Sequence, residues 1–280
     1  MKQLFALLTI FVFGYVNAQS TEFETSISPL QNIQYQGLSF VQKPYQRLNC
    51  EFANLRKKNA NIDYWGDTVC SSVSFIDLEI LGEDKPVITR ICDQIKELSF
   101  TYGESKFSHP QEYCNSIADT AAANGMIELS TEISVLDTFD KFIGINIGTS
   151  EFSGGAHPNY YSVVKVFDVF SGEVLELGRI IDKKFEKSFR KLLYVHFKKT
   201  YGLDALFNSD VKPDEFPIPE NFHLGNNGMF LYYNPYEITP YAVGAPEITL
   251  TFSEISPYLT PYFKSAISRV KKGSKSPIRY

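Results

Sequence analysis

Apolar and polar residues alternate over residues 73–81, and this pattern predicts a β-strand that ends at the Gly-Glu-Asp segment after it. Beyond Pro86 the apolar positions follow helical spacing and predict a helix with one buried face; they are Ile88, Ile91, Cys92, Ile95 and Leu98. A second helix is expected over residues 110–123, where Asn-Gly ends it. The first half of the chain therefore contains at least one strand and two helices.

The second half of the chain is predicted to form mainly strands. Residues 126–136, 139–149 and 160–170 are strand-like and separated by short turns, as expected for an antiparallel meander. Residues 183–201 carry apolar side chains at helical spacing and predict the longest helix. After a proline-rich connection come three further predicted strands and a short helix capped by Ser253; the strands are residues 222–224, 228–233 and 247–252.

These elements predict an α+β fold of mainly antiparallel sheet with a few packed helices, because regular strand-helix alternation is absent. Two related or intimately packed subdomains are expected. They are residues 19–130, which contain all four cysteines, and residues 131–265. Residues 266–280 are rich in lysine and arginine and are expected to form a basic tail.

The first 18 residues have the pattern of a cleavable signal peptide. Lys2 precedes an apolar run over residues 4–16, and Ala18 ends a small-residue cleavage site. The run is shorter than the roughly 20 apolar residues that span a bilayer. We therefore expect a secreted or periplasmic protein with no membrane span after cleavage.

The net charge of the chain limits the classes of partner that it is expected to bind. The formal net charge is −5, and removing the signal with Lys2 makes it −6 (−5 − 1). This mild acidity argues against nucleic acid as a partner, because phosphate binding needs clustered lysine and arginine. An acidic chain is better suited to a basic protein than to nucleic acid as its partner.

Four cysteines in an exported chain predict two disulfides. Three pairings are open, and we favour those that close the shorter loops, Cys50 with Cys70 and Cys92 with Cys114. Two adjacent helices could bring the second pair together. No C-x-x-C or paired-histidine spacing is present, so no metal or other cofactor is expected.

Motifs for catalysis are few. Ser188 and Ser268 each begin an S-x-x-K sequence, but the companion motifs S-D-N and K-T-G of penicillin-binding enzymes are missing. There is no G-x-S-x-G nucleophile elbow, no zinc-binding H-E-x-x-H helix and no phosphate-binding glycine loop.

His196 falls on the apolar face of its helix and is expected to be a hydrogen-bonded core residue. Paired carboxylates need no fixed spacing, so a glycan hydrolase stays open.

Two loops stand out as candidate binding segments. Residues 152–159 contain two glycines followed by His157, and residues 226–244 are rich in tyrosine and punctuated by proline. Tyrosine offers a large contact area with a polar tip, which suits a binding surface. The same rings could instead cover the edge of the core.

These loops, together with residues 167–173 and 252–259, resemble the C-terminal domain of RsiV-type lysozyme-sensing anti-sigma factors (domain of unknown function 3298). The same domain occurs beside peptidoglycan deacetylases. The similarity covers about residues 135–259, and residues 52–125 resemble the domain that often precedes it (domain of unknown function 4163). The resemblance implies an α+β fold and an extracytoplasmic role in which the best-understood member binds lysozyme.

The resulting hypothesis is an exported cell-envelope binding protein, not an enzyme, with lysozyme or peptidoglycan as its partner. The proposed contact residues are His157, Tyr236 and Tyr241, which lie in the two loops. Anti-sigma activity needs a cytoplasmic segment and a membrane span, and deacetylase activity belongs to a separate catalytic domain, so neither is carried over. The alternatives are an envelope hydrolase acting on cell-wall glycan or peptide, and a structural or assembly module.

Overall fold

The computed structural model of the protein describes residues 30–49, 71–102, 105–124, 128–153 and 156–273. Nine of the strands in these residues belong to two sheets, and two short strands pair separately as a ribbon. In chain order the strands are β1 (Asn32–Tyr35), β2 (Leu38–Asn49), β3 (Ser71–Leu81), β4 (Thr101–Tyr102), β5 (Ser105–Lys106), β6 (Glu128–Phe139), β7 (Phe142–Phe152), β8 (Asn159–Asp168), β9 (Asn221–Gly225), β10 (Gly228–Tyr232) and β11 (Glu247–Thr251).

Six α-helices accompany the sheets in the described part of the chain. They are α1 (Lys85–Ser99), α2 (Pro110–Asn124), α3 (Leu177–Ile180), α4 (Glu186–Thr200), α5 (Phe252–Ile255) and α6 (Pro261–Gly273). The larger sheet has the spatial order β1-β2-β3-β6-β7-β8, and the smaller one has the order β11-β10-β9. Only β3 and β6 pair in parallel among the described strands, because α1 and α2 lie between them in the chain. The predicted α+β class with mainly antiparallel sheet is confirmed.

The larger sheet separates two hydrophobic clusters. One cluster contains buried residues of α1 and α2, and the other contains buried residues of β9, β10, β11, α4 and α6. Neighbouring residues Val166 and Phe167 of β8 belong to different clusters, as expected for side chains on opposite faces of a strand. Both faces are therefore covered in the part of the sheet formed by β6, β7 and β8. β6, which contains the expected subdomain boundary at residue 130, contributes to both clusters.

The hairpin of β1 and β2 has no counterpart in the sequence-based prediction. Its two turn residues, Gln36 and Gly37, have φ values of 51° and 80°, as a type I′ turn requires. The hydroxyl of Tyr35 donates a hydrogen bond of 2.5 Å to the carbonyl oxygen of Asp140, in the turn between β6 and β7. This bond fixes the hairpin to the turn between β6 and β7.

Helix α1 forms where the apolar spacing predicts it. The side chain of Asp84 accepts a hydrogen bond from the backbone N–H of Val87, which caps the helix at its first turn. The buried residues are Val87, Ile88, Ile91, Ile95 and Ser99. Leu98, which the spacing assigns to the same face, is instead 38% exposed.

The predicted disulfide between Cys92 and Cys114 is wrong, because both are free thiols in the structure. Cys114 on α2 is completely buried, whereas Cys92 on α1 is half-buried at the edge of the same cluster. Helix α2 packs against β2 and β3, while α1 also contacts β7, so the helices cover different parts of the sheet. Burial raises the pKa of Cys114 to about 11 and also raises that of Cys92, which keeps both thiols protonated.

The C-terminal part differs from the prediction in two respects. Helix α5 is capped by Thr251 and not by Ser253, since Thr251 and Glu254 form a capping box. The expected basic tail is helical up to residue 273, and its Ala266 and Ile267 are buried in the core. The signal peptide, Cys50 and Cys70 lie outside the described residues. Within the described residues, none of the helices has the length and apolarity needed to cross a membrane.

Candidate functional site

Four aromatic residues from two loops and one strand meet at the protein surface. The imidazole of His157 stacks on the ring of Tyr241, with centroids 3.7 Å apart and planes 12° from parallel. Tyr236 and Tyr160 each lie with their ring centroids 5.7 Å from that of Tyr241. We call His157, Tyr160, Tyr236 and Tyr241 the aromatic surface. It contains all three residues that the sequence singles out as contact residues.

Pro158 holds the two loops of the aromatic surface together. Its carbonyl oxygen accepts a hydrogen bond of 2.7 Å from the hydroxyl of Tyr241 and one of 3.0 Å from Nδ1 of His157. The hydroxyl of Tyr236 lies 3.5 Å from Nε2 of the same imidazole. His157 is therefore held through both ring nitrogens, although it is exposed to solvent.

The backbone of Tyr236 is in an unfavourable conformation. Its φ is +66°, in the left-handed region that glycine and asparagine adopt more readily. It follows Pro235 in a turn closed by a hydrogen bond of 3.1 Å from Glu237 N to Asn234 O. Proline before a residue of positive φ is typical of a type II turn. The turn presents a ring that is 54% exposed at a cost in conformational energy.

Two buried asparagines, Asn221 at the start of β9 and Asn234 in the tyrosine-rich loop, contact the free edge of β8. Oδ1 of Asn234 accepts from Ser162 N at 2.7 Å, and its Nδ2 donates to Ser162 O at 3.0 Å. Oδ1 of Asn221 accepts from Val164 N at 2.8 Å, and its Nδ2 donates to Ser162 O at 3.1 Å. The side chains therefore take the positions that a neighbouring strand would take in a ladder.

Replacing Asn234 by alanine is expected to lower the free energy of unfolding by about 2 kcal/mol, because the Ser162 N–H loses its partner. Urea denaturation measures this change. The matched control is Asn208→Ala, since Asn208 is exposed to solvent. Equal stability of the two variants would contradict the role given to Asn234.

Burial alters the acidity of groups beside the aromatic surface. It raises the pKa of Tyr160, with a further contribution from Tyr241, and raises that of Tyr232 to about 12. Burial also raises the pKa of the Glu237 carboxyl, whose Oε2 accepts a hydrogen bond of 2.8 Å from Asn234 N. Tyr160 and Tyr232 are therefore neutral hydrogen-bonding groups at neutral pH.

The other residues considered for chemistry lie apart from the aromatic surface. Ser188 is exposed on α4, and the hydroxyl of Ser268 donates to the carbonyl oxygen of Lys264. Nε2 of His196 lies 3.1 Å from Oε1 of Glu254, and the histidine is half-buried. Within the described ranges no group of three or more histidine, cysteine or acidic side chains could hold a metal ion.

Sequence reasoning missed Tyr160, Asn221 and Asn234. The sequence pattern places Tyr160 in a strand with no sign of a binding role, and asparagines such as these are typical of loops and turns. The asparagines lie 59 and 72 residues from the backbone groups of Ser162 that they contact. They meet only because the fold brings β9 and the tyrosine-rich loop next to the edge of β8.

A family match falls on the second half of the fold. Residues 168–253 match the family model described as protein of unknown function, DUF3298. These residues form a DUF3298 domain. It contains Tyr236 and Tyr241 of the aromatic surface, whereas His157 and Tyr160 precede it. None of the curated proteins that were compared matches the sequence.

Solved structures of the DUF3298 family have a similar fold. A member from Bacteroides fragilis superposes with a TM-score of 0.65 at 18% sequence identity, over 84% of this chain and 98% of the other. A DUF3298 family protein from Pseudomonas aeruginosa superposes with a TM-score of 0.56 at 18% identity, over 80% of this chain and 95% of the other. The likeness therefore extends beyond the DUF3298 domain to most of the chain.

The DUF3298 domain begins with a turn that contacts α1. The backbone N–H of Gly172 donates to Asp168 O at 2.7 Å, and Gly172 has a φ of +72°. Nη1 of Arg90 donates to Ser171 O at 2.6 Å, and Nε2 of Gln94 donates to Gly172 O at 3.0 Å. The domain is thus joined by hydrogen bonds to the helix that covers the first cluster.

Proposed function

We propose that this chain is an exported cell-envelope binding protein and that the aromatic surface is its contact site. The partner that we favour is lysozyme or a similar basic muramidase, with peptidoglycan as the alternative. Binding surfaces are enriched in tyrosine because its ring buries a large area and loses little conformational freedom. A constellation of one histidine and three tyrosines fits this role better than catalysis.

The observation that carries the proposal is the positive φ of Tyr236. A non-glycine residue in this conformation costs about 1 kcal/mol. Here the residue is an exposed aromatic that contributes nothing to either hydrophobic cluster of the described residues. A glycine would satisfy the turn without this cost, and the ring interacts with His157 and Tyr241 of the same surface and with neither core, so it serves the aromatic surface. Contact with a partner is such an explanation.

Charge also supports a basic protein as the partner. The formal net charge of the chain is −5, and a negative protein attracts a positive one before contact. Peptidoglycan would depend less on this attraction. Binding that weakens as salt concentration rises is therefore the expected behaviour with lysozyme.

The decisive experiment compares Tyr236→Gly with the parent protein. The chain from residue 19, which retains every residue that the structure describes, is tested for capture of lysozyme and of insoluble peptidoglycan. We expect Tyr236→Gly to weaken binding about tenfold or more, the loss typical of an aromatic contact residue. Its stability should not fall, because relief of strain offsets the greater flexibility of glycine in the unfolded chain.

The matched control is Tyr161→Ala. Tyr161 is 57% exposed and next to Tyr160 in β8, but it points away from the aromatic surface as strand alternation requires. Capture of lysozyme with loss of its muramidase activity would support an inhibitor or sensor. Failure of the folded chain to capture either partner would refute the proposal, and turnover of cell-wall fragments would favour the hydrolase instead.

A further inference from the structure

A groove of about 390 Å³ lies between α6 and the segment before it, and none of its lining residues belongs to the aromatic surface. Its floor is apolar, with Leu259 and Ile267 buried and Phe252 half-buried. Its rim is polar and consists of Ser253, Ser256, Lys264, Ser268 and Lys271. The volume is within the range of small-molecule sites, roughly 300–1,000 Å³.

Both walls of the groove are held in place by caps and ring packing. Thr251 and Glu254 cap α5, and the ring of Phe252 packs on that of Phe139 at 4.7 Å between centroids. On the other side, Oγ1 of Thr260 accepts a hydrogen bond of 3.2 Å from Phe263 N and so caps α6. The groove is therefore a preformed feature of the fold.

The side of α6 that faces the groove is set by helical spacing. Lys264, Ile267, Ser268 and Lys271 follow the i, i+3, i+4, i+7 positions of one helix face. The two lysines are two turns apart, about 10 Å along the axis. Side chains of this length can close on one small group between them, above the apolar floor.

The rim carries positive charge with no acid among its lining residues. Neither Lys264 nor Lys271 forms an ion pair with any residue that the structure describes. The nearby carboxylate of Glu254 accepts a hydrogen bond of 2.8 Å from Thr251 N, and its Oε1 lies 3.1 Å from Nε2 of His196. The carboxylate of Asp182 pairs with Lys184 at 2.9 Å. The two ammonium groups therefore have no direct ion-pair partner among the described residues, with Asp182 acting on Lys264 only at longer range, and an anion in the groove would stabilise them.

We propose that the groove binds an amphiphile consisting of an alkyl chain with one anionic headgroup, either a carboxylate or a phosphate monoester. The lysines bind the headgroup, and the hydroxyl of Ser256 donates a hydrogen bond to it. The alkyl chain covers the floor formed by Phe252, Leu259 and Ile267. A purely polar anion would leave this floor exposed, and a neutral alkyl chain would leave the lysines unpaired.

Calorimetric titration of the chain from residue 19 tests the proposal. The probes are dodecyl phosphate and dodecanoate below their critical micelle concentrations, with dodecanol and inorganic phosphate as the uncharged and chain-free counterparts. We expect at least one amphiphile to bind, and both counterparts to bind at least about tenfold more weakly. The stronger of the two amphiphiles identifies the headgroup.

The double variant Lys264→Gln/Lys271→Gln is expected to weaken amphiphile binding about tenfold or more. Its matched control is Lys191→Gln/Lys198→Gln, which removes two exposed lysines at the same spacing from α4, outside the groove. The control should bind within about twofold of the parent. Circular dichroism verifies that both double variants are folded.

Three results would overturn the proposal. The first is that neither amphiphile binds to the folded chain. The second is that the two double variants lose amphiphile affinity equally, and the third is that inorganic phosphate binds as tightly as dodecyl phosphate. Tyr236→Gly should bind the amphiphile like the parent protein, because Tyr236 is not among the groove residues. This result separates the groove from the proposed partner site.

Discussion

Gly228→Ala is expected to destabilise the protein by about 3 kcal/mol or more. Gly228 begins β10, opposite Thr251 of β11. A Cβ atom at this position would lie 2.1 Å from the carbonyl oxygen of Leu250 and 3.0 Å from its carbonyl carbon. These are backbone atoms of β11, so no side-chain rotation relieves the clash and the two strands must separate. Urea denaturation of parent and variant measures the loss.

The control for this prediction is Gly178→Ala. Gly178 lies in α3, and a Cβ there would have no atom within 4 Å. Alanine is a better helix former than glycine by about 1 kcal/mol, so this variant should be as stable as the parent or more so. If Gly228→Ala unfolded at the same urea concentration as Gly178→Ala, the close approach of β10 and β11 would be disproved.

Acid is expected to destabilise the fold through His223. Burial lowers the pKa of its imidazole to about 4, against 6.5 for the free side chain. The ring stacks on Phe230 with centroids 4.5 Å apart, and its Nδ1 is buried with no hydrogen-bond partner among the described residues. Between these two pH values the unfolded chain binds a proton that the folded chain does not. The free energy of unfolding should therefore fall by about 3 kcal/mol as the pH decreases from 6.5 toward 4, with no contribution above 6.5.

The variant His223→Phe keeps a stacked ring and removes the titrating group. Its free energy of unfolding, measured by urea denaturation between about pH 7.5 and about pH 4.5, should decrease less than that of the parent. His223→Gln provides a second test if phenylalanine does not fit beside Gly144, whose added Cβ would lie 2.9 Å from His223 Cβ. His157→Gln is the control, and its free energy of unfolding should depend on pH as that of the parent does. A parent and a His223→Phe variant with parallel pH profiles would show that His223 is not the responsible group.

The parts of the fold that the sequence predicts are those in which one residue period dominates a long segment. α1 and α4 are examples, since their apolar residues recur at helical spacing and most of those on the predicted face are buried, Leu98 being an exception. The β1–β2 hairpin has buried residues at alternate positions too, but its turn is Gln36-Gly37 and not the stronger Asn-Gly signal. The sequence did not predict α6 as a helix, because its lysines and arginine are typical of a solvated tail. In the structure Phe263, Ala266 and Ile267 face the core.

Three of the four residues of the aromatic surface could be named from the sequence, but their geometry could not. His157 and Tyr236 could be recognised because glycine and proline mark their loops. Their side chains meet across 79 residues of sequence, and that contact depends on how β8 and β10 are arranged. The asparagines that fix the arrangement have no local signal, because their partners are backbone groups of a distant strand.

The same asparagines have a consequence for the behaviour of the protein in concentrated solution. A sheet ends in a row of unpaired backbone groups to which a strand from another molecule can add, and such addition leads to aggregation. On β8 the side chains of Asn221 and Asn234 occupy these groups at Ser162 and Val164. This stretch of the larger sheet is therefore closed to strands of neighbouring molecules, which protects a protein whose adjacent loops present exposed aromatic rings.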